Sequence, residues 1–314
     1  MAPRFLRRTI EWLQPSSSIT PPGVPDSTSY DTGFLPTIIC EMIIDLIAGK
    51  NFLGFWGTDA LETLRACSLT CRGWRPRSQH HLFRFISVHC STKGQKSAKH
   101  LVALLSKHPA LQSHVETLIV RDFTQRNPMF NKLSMGLANV LPHIRTLRLS
   151  GLIVYSASGK ALQKSLRQFG AVKTLDLYGV AFYSLRHLQR VVCSFDELNI
   201  LHASIFWRDS TDNVTHFERP MTTARLKRLR ISTNARGATD PRSVHFIEWL
   251  TLSGIVSSTE FIILNQMMIL DDAMFAAVET MVESSKASLQ TLSISFGPDV
   301  DFTRRKLAPQ AFLQ

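Results

Sequence analysis

Ile144-Arg-Thr-Leu147-Arg-Leu149 and, 28 residues on, Val172-Lys-Thr-Leu175-Asp-Leu177 are two copies of one six-residue pattern, apolar at the first, fourth and sixth places. Alternation across the fourth to sixth places has the period of a strand with one buried face. Upstream lies Val115-Glu-Thr-Leu118-Ile-Val120. Downstream come Phe195-Asp-Glu-Leu198-Asn-Ile200, Leu226-Lys-Arg-Leu229-Arg-Ile231, Thr259-Glu-Phe-Ile262-Ile-Leu264 and Leu289-Gln-Thr-Leu292-Ser-Ile294. Successive fourth places stand 29, 28, 23, 31, 33 and 30 residues apart. Helical spacings fill the intervals: Leu101, Leu104 and Leu105; Phe130, Leu133, Leu137 and Leu141; Leu162, Leu166 and Phe169; Leu185, Leu188 and Val192. Met274, Ala277, Val278 and Met281 close the series, after a cap at Asp271 or Asp272.

One strand plus one helix per ~30 residues is the unit of a leucine-rich-repeat solenoid, whose copies bury their apolar faces on one another. An ordinary alternating α/β sheet has the same element order and is the alternative. The Asn or Cys that usually follows the strand occurs only at Asn234; Phe123, Leu152, Val180, Ala203, Met267 and Gly297 take the other places. The buried side-chain ladder of regular repeats is therefore absent, which predicts irregular curvature. Side chains between the buried leucines should line the concave surface. Among them, Arg121, Arg148, Asp176, Tyr178, Asn199, Arg228 and Arg230 are the candidate substrate-binding residues, and Leu201 shares that surface. The arginines suit an acidic or phosphorylated client. After the last strand, Gly297 to Gln314 makes a poor cap for a solenoid.

Ahead of the repeats, Gln14 to Gly33 has fourteen Pro, Ser, Thr or Gly residues in twenty and reads as a linker. A structured block from Phe34 to Val88 follows. Pro36 suits a first helical turn, and Ile39, Ile43 and Ile47, with Met42 and Leu46, recur at helical spacing. Thr58-Asp59 can cap a second helix carrying Leu61, Leu64, Cys67 and Cys71. A third helical piece holds Trp74, Ser78 and Leu82, and Phe83 to Val88 is extended. So small a block is marginal alone and calls for a partner surface.

Phe34-Leu-Pro-Thr-Ile-Ile-Cys-Glu-Met-Ile-Ile-Asp-Leu-Ile47 resembles the opening Leu-Pro-x-Glu-Ile run of the F-box family. Cys67-Ser-Leu-Thr-Cys71-Arg-Gly-Trp74 resembles its second half. The combination is similar to F-box proteins of mushroom-forming fungi, which pair this segment with degenerate leucine-rich repeats. Two departures are Ile38, where the family often has an acid, and the long Lys50 to Asp59 loop. The resemblance implies an α/β chain: an N-terminal tail and linker over 1–33, a short three-helix F-box over 34–88, and an irregular leucine-rich-repeat solenoid of alternating strands and helices over 97–314. It further implies a substrate-recognition subunit of an SCF-type cullin-RING ubiquitin ligase in cytoplasm or nucleus. The F-box would bind the Skp adaptor, and through it the cullin scaffold, while the repeats hold the substrate protein. Leu35, Pro36, Ile39, Ile43, Ile44, Leu64, Cys67, Leu69, Cys71 and Trp74 are the candidate adaptor-binding residues, some of which must instead be internal core.

Charge supplies the competing readings. The formal net charge is +12, and between Thr63 and Val115 stand nine Lys or Arg and no acid. Such a field suits an acidic adaptor, a nucleic acid or an anionic membrane. The local aromatics Trp74, Phe83 and Phe85 fall at core spacings, and no nucleic-acid motif accompanies them. The alternatives to a ligase receptor are thus a repeat scaffold outside any ligase and a basic nucleic-acid binder. Five cysteines, an odd number, argue against a disulfide-stapled secreted scaffold. The apolar run at Phe261 to Leu270 is too short for a membrane span, and Met1 to Leu13 has no central apolar block. Cys67 and Cys71, with His80 and His81 nearby, could approach a zinc set, but buried thiols are the simpler account. Gly159-Lys160 lacks the first glycine and the Ser or Thr of a phosphate loop. No catalysis, cofactor or metal is expected of this polypeptide.

Overall fold

The computed structural model describes residues 37–49, 58–90, 92–121, 136–154, 159–208, 224–233, 240–267 and 272–296. The expected N-terminal linker, the Lys50 to Asp59 loop as far as residue 57, and the tail from Gly297 lie outside the described residues. The described residues open with three helices: α1 (Thr37–Gly49), α2 (Thr58–Thr70) and α3 (Arg75–Arg84), the last with a proline in its opening turn. Strand β1 (Phe85–His89) follows α3 with no intervening loop. The chain continues through α4 (Thr92–Lys107), α5 (Pro109–Gln112), β2 (Thr117–Arg121), β3 (Thr146–Ser150), β4 (Ile153–Val154) and α6 (Gly159–Leu166). Then come β5 (Thr174–Phe182), α7 (Leu185–Val192), β6 (Ile200–Trp207), β7 (Arg228–Thr233), α8 (Pro241–Leu252), β8 (Phe261–Met267), α9 (Asp272–Ser285) and β9 (Thr291–Phe296). No helix among the described residues is long and apolar enough to cross a membrane.

The nine strands of the described residues belong to one sheet, in the order β1-β2-β3-β5-β6-β7-β8-β9, with β4 paired to β5 and neighbours parallel. This corrects the expected fold class. The chain is not a three-helix F-box followed by a separate leucine-rich-repeat solenoid. It is an α/β structure built on a nine-stranded parallel sheet, whose first strand lies inside the front block. Strand–helix periodicity cannot tell the two apart, because both have the same element order. The missing Asn or Cys ladder was the sequence feature that spoke against the solenoid.

Register explains the recurring pattern and shows where the reading slipped. Leu118, Leu147, Leu175, Leu201, Leu229, Ile262 and Leu292 pair across successive strands, with Ile86 ahead of them in β1. The fourth copy is therefore Leu198-Asn-Ile-Leu201-His-Ala203, three residues later than Phe195 to Ile200. Phe195, Leu198 and Ile200 satisfy the same apolar rule, and only the evenness of the spacing separates the two. Phe83, Ile86 and Val88 form a further copy that the sequence reading missed. A backbone ladder marks each entry to the sheet. The carbonyl of Glu116 accepts from Arg145 and Thr146, that of Arg145 from Lys173 and Thr174, that of Lys173 from Asn199 and Ile200, and that of Asn199 from Lys227 and Arg228.

The fourth and sixth places of β1 to β8 are buried in one continuous apolar cluster with Leu105, Leu137, Leu162, Leu166, Leu188 and Met281 from the helical side. Truncating one such leucine to alanine costs about 2–5 kcal/mol. The sheet is deepest at its middle. Gly151 and Gly179 adopt φ of 67° and 63°; Gly151 stands between β3 and β4, and Gly179 sits at a register shift within β5. Past Gly179, Val180, Ala181 and Phe182 pair with Ile205, Phe206 and Trp207. Arg242 secures that extension. Its Nη1 donates to the carbonyls of Tyr183 (3.1 Å) and Arg208 (2.8 Å), Asp240 holds its other nitrogens at 2.8 and 2.6 Å, and its guanidinium lies 5.3 Å from the Trp207 ring centroid. Asp240 also caps α8 by accepting from the Arg242 N–H at 2.9 Å.

Substituting Gly179→Ala puts a side chain where the left-handed conformation disfavours one, and is expected to cost about 1–2 kcal/mol. Gly170→Ala, which meets open space without a positive φ, should be near neutral. Urea unfolding of the two variants beside the parent checks the difference.

Candidate functional site

The front helices carry more apolar surface than they cover. Helix α1 reads TIICEMIIDLIAG, apolar nearly all round, so it needs neighbours on more than one side. Inward, Ile44 packs with Leu64 and Cys67 of α2, and Ile47, Ala48, Trp74 and Leu82 close around them. Outward, Ile38 is 67% exposed, Ile39 40%, Met42 58%, Ile43 38% and Leu46 66%, with Leu69 of α2 at 55%. Ile38, Met42 and Leu46 stand four residues apart and share one stripe.

The adaptor candidates therefore separate. Ile44, Leu64 and Cys67 are core and cannot form a surface, and Trp74 is half-buried against them. Burial pushes the Cys67 thiol up. Ile39, Ile43, Leu69 and Cys71 are at the surface. Leu35 and Pro36 lie outside the described residues. Ile38, Met42 and Leu46 were missed, although their i, i+4 spacing was visible in the sequence.

A polar clasp holds α1 to α3. Arg77 donates from Nε to Asp45 Oδ1 (2.7 Å) and from Nη2 to Oδ2 (2.6 Å), and His81 Nε2 lies 2.7 Å from Oδ1. A carboxylate only accepts, so that nitrogen carries the hydrogen. The Arg77 bond, opposed by burial and aided by His81, holds the Asp45 carboxyl down at about 2. Further links tie α3 to the sheet: Arg84 Nε donates to Glu116 Oε2 at 2.8 Å, and the His80 and His114 rings meet edge to face at 5.4 Å. Part of the basic run is thus engaged within the chain.

The sheet's second face bears three rows. The central row is Ser87, Ile119, Arg148, Asp176, His202, Arg230, Ile263 and Ser293. Before it run Phe85, Thr117, Thr146, Thr174, Ile200, Arg228, Phe261 and Thr291. Beyond it run His89, Arg121, Ser150, Tyr178, Ser204, Ser232 and Asn265. None of these side chains belongs to the apolar cluster, and most are half-buried or exposed.

Six of the seven substrate-face candidates, Arg121, Arg148, Asp176, Tyr178, Arg228 and Arg230, are brought together here. Asn199 is not: it precedes β6, in the corner position of Lys173 and Lys227. Leu201, expected on this face, is fully buried. His202 takes the place that the slipped register gave to Asn199. Burial pushes the His202 imidazole down; Asp176 draws it back up, while Arg230, Arg148 and Arg228 lower it further. Arg148 is not a free cation, because its Nε donates to Asp176 Oδ2 at 2.6 Å with both side chains largely covered.

Among the described residues, no group of three or more His, Cys, Asp or Glu is placed to hold a metal. No protein-family model matches the chain, and no curated protein matches it.

The clasp generates a pH prediction. A carboxyl with a folded value of about 2, below its usual 3.8, stabilises the fold above pH ~4, and that contribution disappears as the pH falls through about 2. The Asp45 side chain is 40% exposed, so solvent screening reduces the effect to about 1 kcal/mol. Asp45→Asn should lose that amount at pH 7 and converge with the parent near pH 2, as followed by denaturant melts across the range.

Proposed function

We propose that this chain is the substrate-recognition subunit of an SCF-type cullin-RING ubiquitin ligase. Its front helices dock on a Skp adaptor, and the open sheet face receives the substrate protein. The observation that carries the reading is the outward stripe Ile38, Ile39, Met42, Ile43 and Leu46, which stays at the surface although Ile44 of the same helix is fully buried. Contiguous exposed apolar area of this kind marks an interaction surface. It coincides with the segment that resembles the F-box. Ile38, the departure from the family pattern, adds to the stripe. The chain carries no catalytic step on this reading; it brings a client to a ligase assembled by others.

The test is recovery of Skp adaptor and cullin with the tagged full-length chain. Met42→Asp with Leu46→Asp should reduce recovery by about tenfold while leaving the melting temperature near that of the parent, since both side chains are mostly in solvent. Ile44→Ala, by contrast, should lower stability first, by about 2–5 kcal/mol. Undiminished recovery with the double aspartate variant, or none with the parent chain, would overturn the proposal.

A further inference from the structure

Of the five charged side chains on the open face of β2 to β7, four arginines and one aspartate, the arginines of β3 and β7 are held in two different ways. Arg148 is neutralised by Asp176. The two arginines of β7 are anchored by neutral groups instead. With the Asn265 amide assigned so that its oxygen faces the Arg230 guanidinium, the orientation that avoids setting N–H against N–H, that oxygen accepts from Arg230 Nε (2.9 Å) and Nη2 (2.7 Å) and the nitrogen donates to Ser295 Oγ at 3.3 Å. Arg228 lies over the Phe261 ring, 4.8 Å from its centroid. Both arginines are exposed, and among the described residues neither forms an ion pair. A neutral acceptor and an aromatic face orient a guanidinium without cancelling its charge. The side-chain entropy that an arriving anion would otherwise have to remove is thereby already lost.

The surroundings define the anion's carrier. Arg228 and Arg230 are two residues apart on one strand, about 6.6 Å along the chain. An extended polypeptide with acids at alternate positions presents them at the same interval. Ile200 and Ile263 flank the pair on β6 and β8 and offer apolar contact. A nucleic-acid backbone would ask for cations along its whole path, whereas β8 and β9 present Phe261, Ile263, Thr291 and Ser293 on this face.

We propose that Arg228 and Arg230, held by Phe261 and Asn265, form a binding site for an extended polypeptide segment carrying anionic side chains at alternate positions. The inference rests on the reading of this face as the substrate surface and names the class of segment it takes. Carboxylate and phosphate share the required chemistry.

The test is fluorescence anisotropy with the full-length chain and a labelled peptide in which Leu-Glu-Gly-Glu-Leu sits between Gly-Ser tails. A second arm replaces one glutamate by phosphoserine, and a third uses a ten-nucleotide single-stranded RNA. Arg228→Gln with Arg230→Gln should weaken peptide binding about tenfold. Asn265→Asp, which supplies Arg230 with a counter-ion while both arginines remain, should weaken it comparably. Removing the same charge on the helical side, with Lys164→Gln and Arg167→Gln, should change it less than about twofold. The ratio of the first two arms identifies the anion. Binding untouched by the β7 and Asn265 variants, equal loss in the helical-side variant, or preferential RNA binding lost through the same arginines would overturn the inference. The measurement uses no adaptor, so its failure and that of adaptor recovery are read separately.

Discussion

The structure depends on one stacked line of apolar side chains, from Ile86 through Leu118, Leu147, Leu175, Leu201, Leu229 and Ile262 to Leu292. Each member from Ile86 to Ile262 is covered by its neighbours and by a layer of helix behind, so no single strand–helix unit holds itself together. Because side chains on a strand alternate, burying the fourth and sixth places commits the third, fifth and seventh to the other face. The open surface is a consequence of the core rather than a separate invention of the sequence. Arg228 and Arg230 face outward because Leu229 and Ile231 face inward.

Legibility followed from how local each signal was. Strands β2, β3, β5, β7 and β9 were readable because each carries the whole apolar triplet within six residues, and β8 because it keeps two of the three places behind Thr259. The fourth copy was misplaced because Phe195, Leu198 and Leu201 lie three apart and two registers fit. Burial alone could not rank them, since all three are buried. That error moved Asn199 onto the face and hid His202. β1 was missed as a member of the sheet because it stands directly behind α3, where extended residues looked like the end of a helical block. The overall class failed for a different reason. Element order and spacing are shared by several arrangements of strands and helices, and pairing is decided by contacts between units some 30 residues apart. On α1, a helix apolar nearly all round announced that it needed more than one neighbour, but its sequence did not say which side met α2. Ile44 went inward, and Ile38, Met42 and Leu46 outward.

The two surfaces differ in physical character. On α1 the exposed groups are apolar, and association there would gain from removing water and have little directional demand. On the sheet the useful groups are charged, and what distinguishes them is the nature of their anchors. Asp176 holds Arg148 by cancelling it; Asn265 and Phe261 hold Arg230 and Arg228 and leave their charge outstanding. Two arginines equally visible in the sequence, Arg148 and Arg230, thus have opposite standing, and only their cross-strand neighbours, 28 and 35 residues away, decide it.

The last strand has a mechanical consequence. Leu292 and Ile294 of β9 are only partly covered, where their counterparts in β5, Leu175 and Leu177, are wholly enclosed. Opening of a rung at this end exposes little that water does not already reach, so the sheet should unzip from β9 inward. Its amide hydrogens would then trade with deuterium through small, cheap fluctuations while those of β5 wait for the whole molecule to come apart.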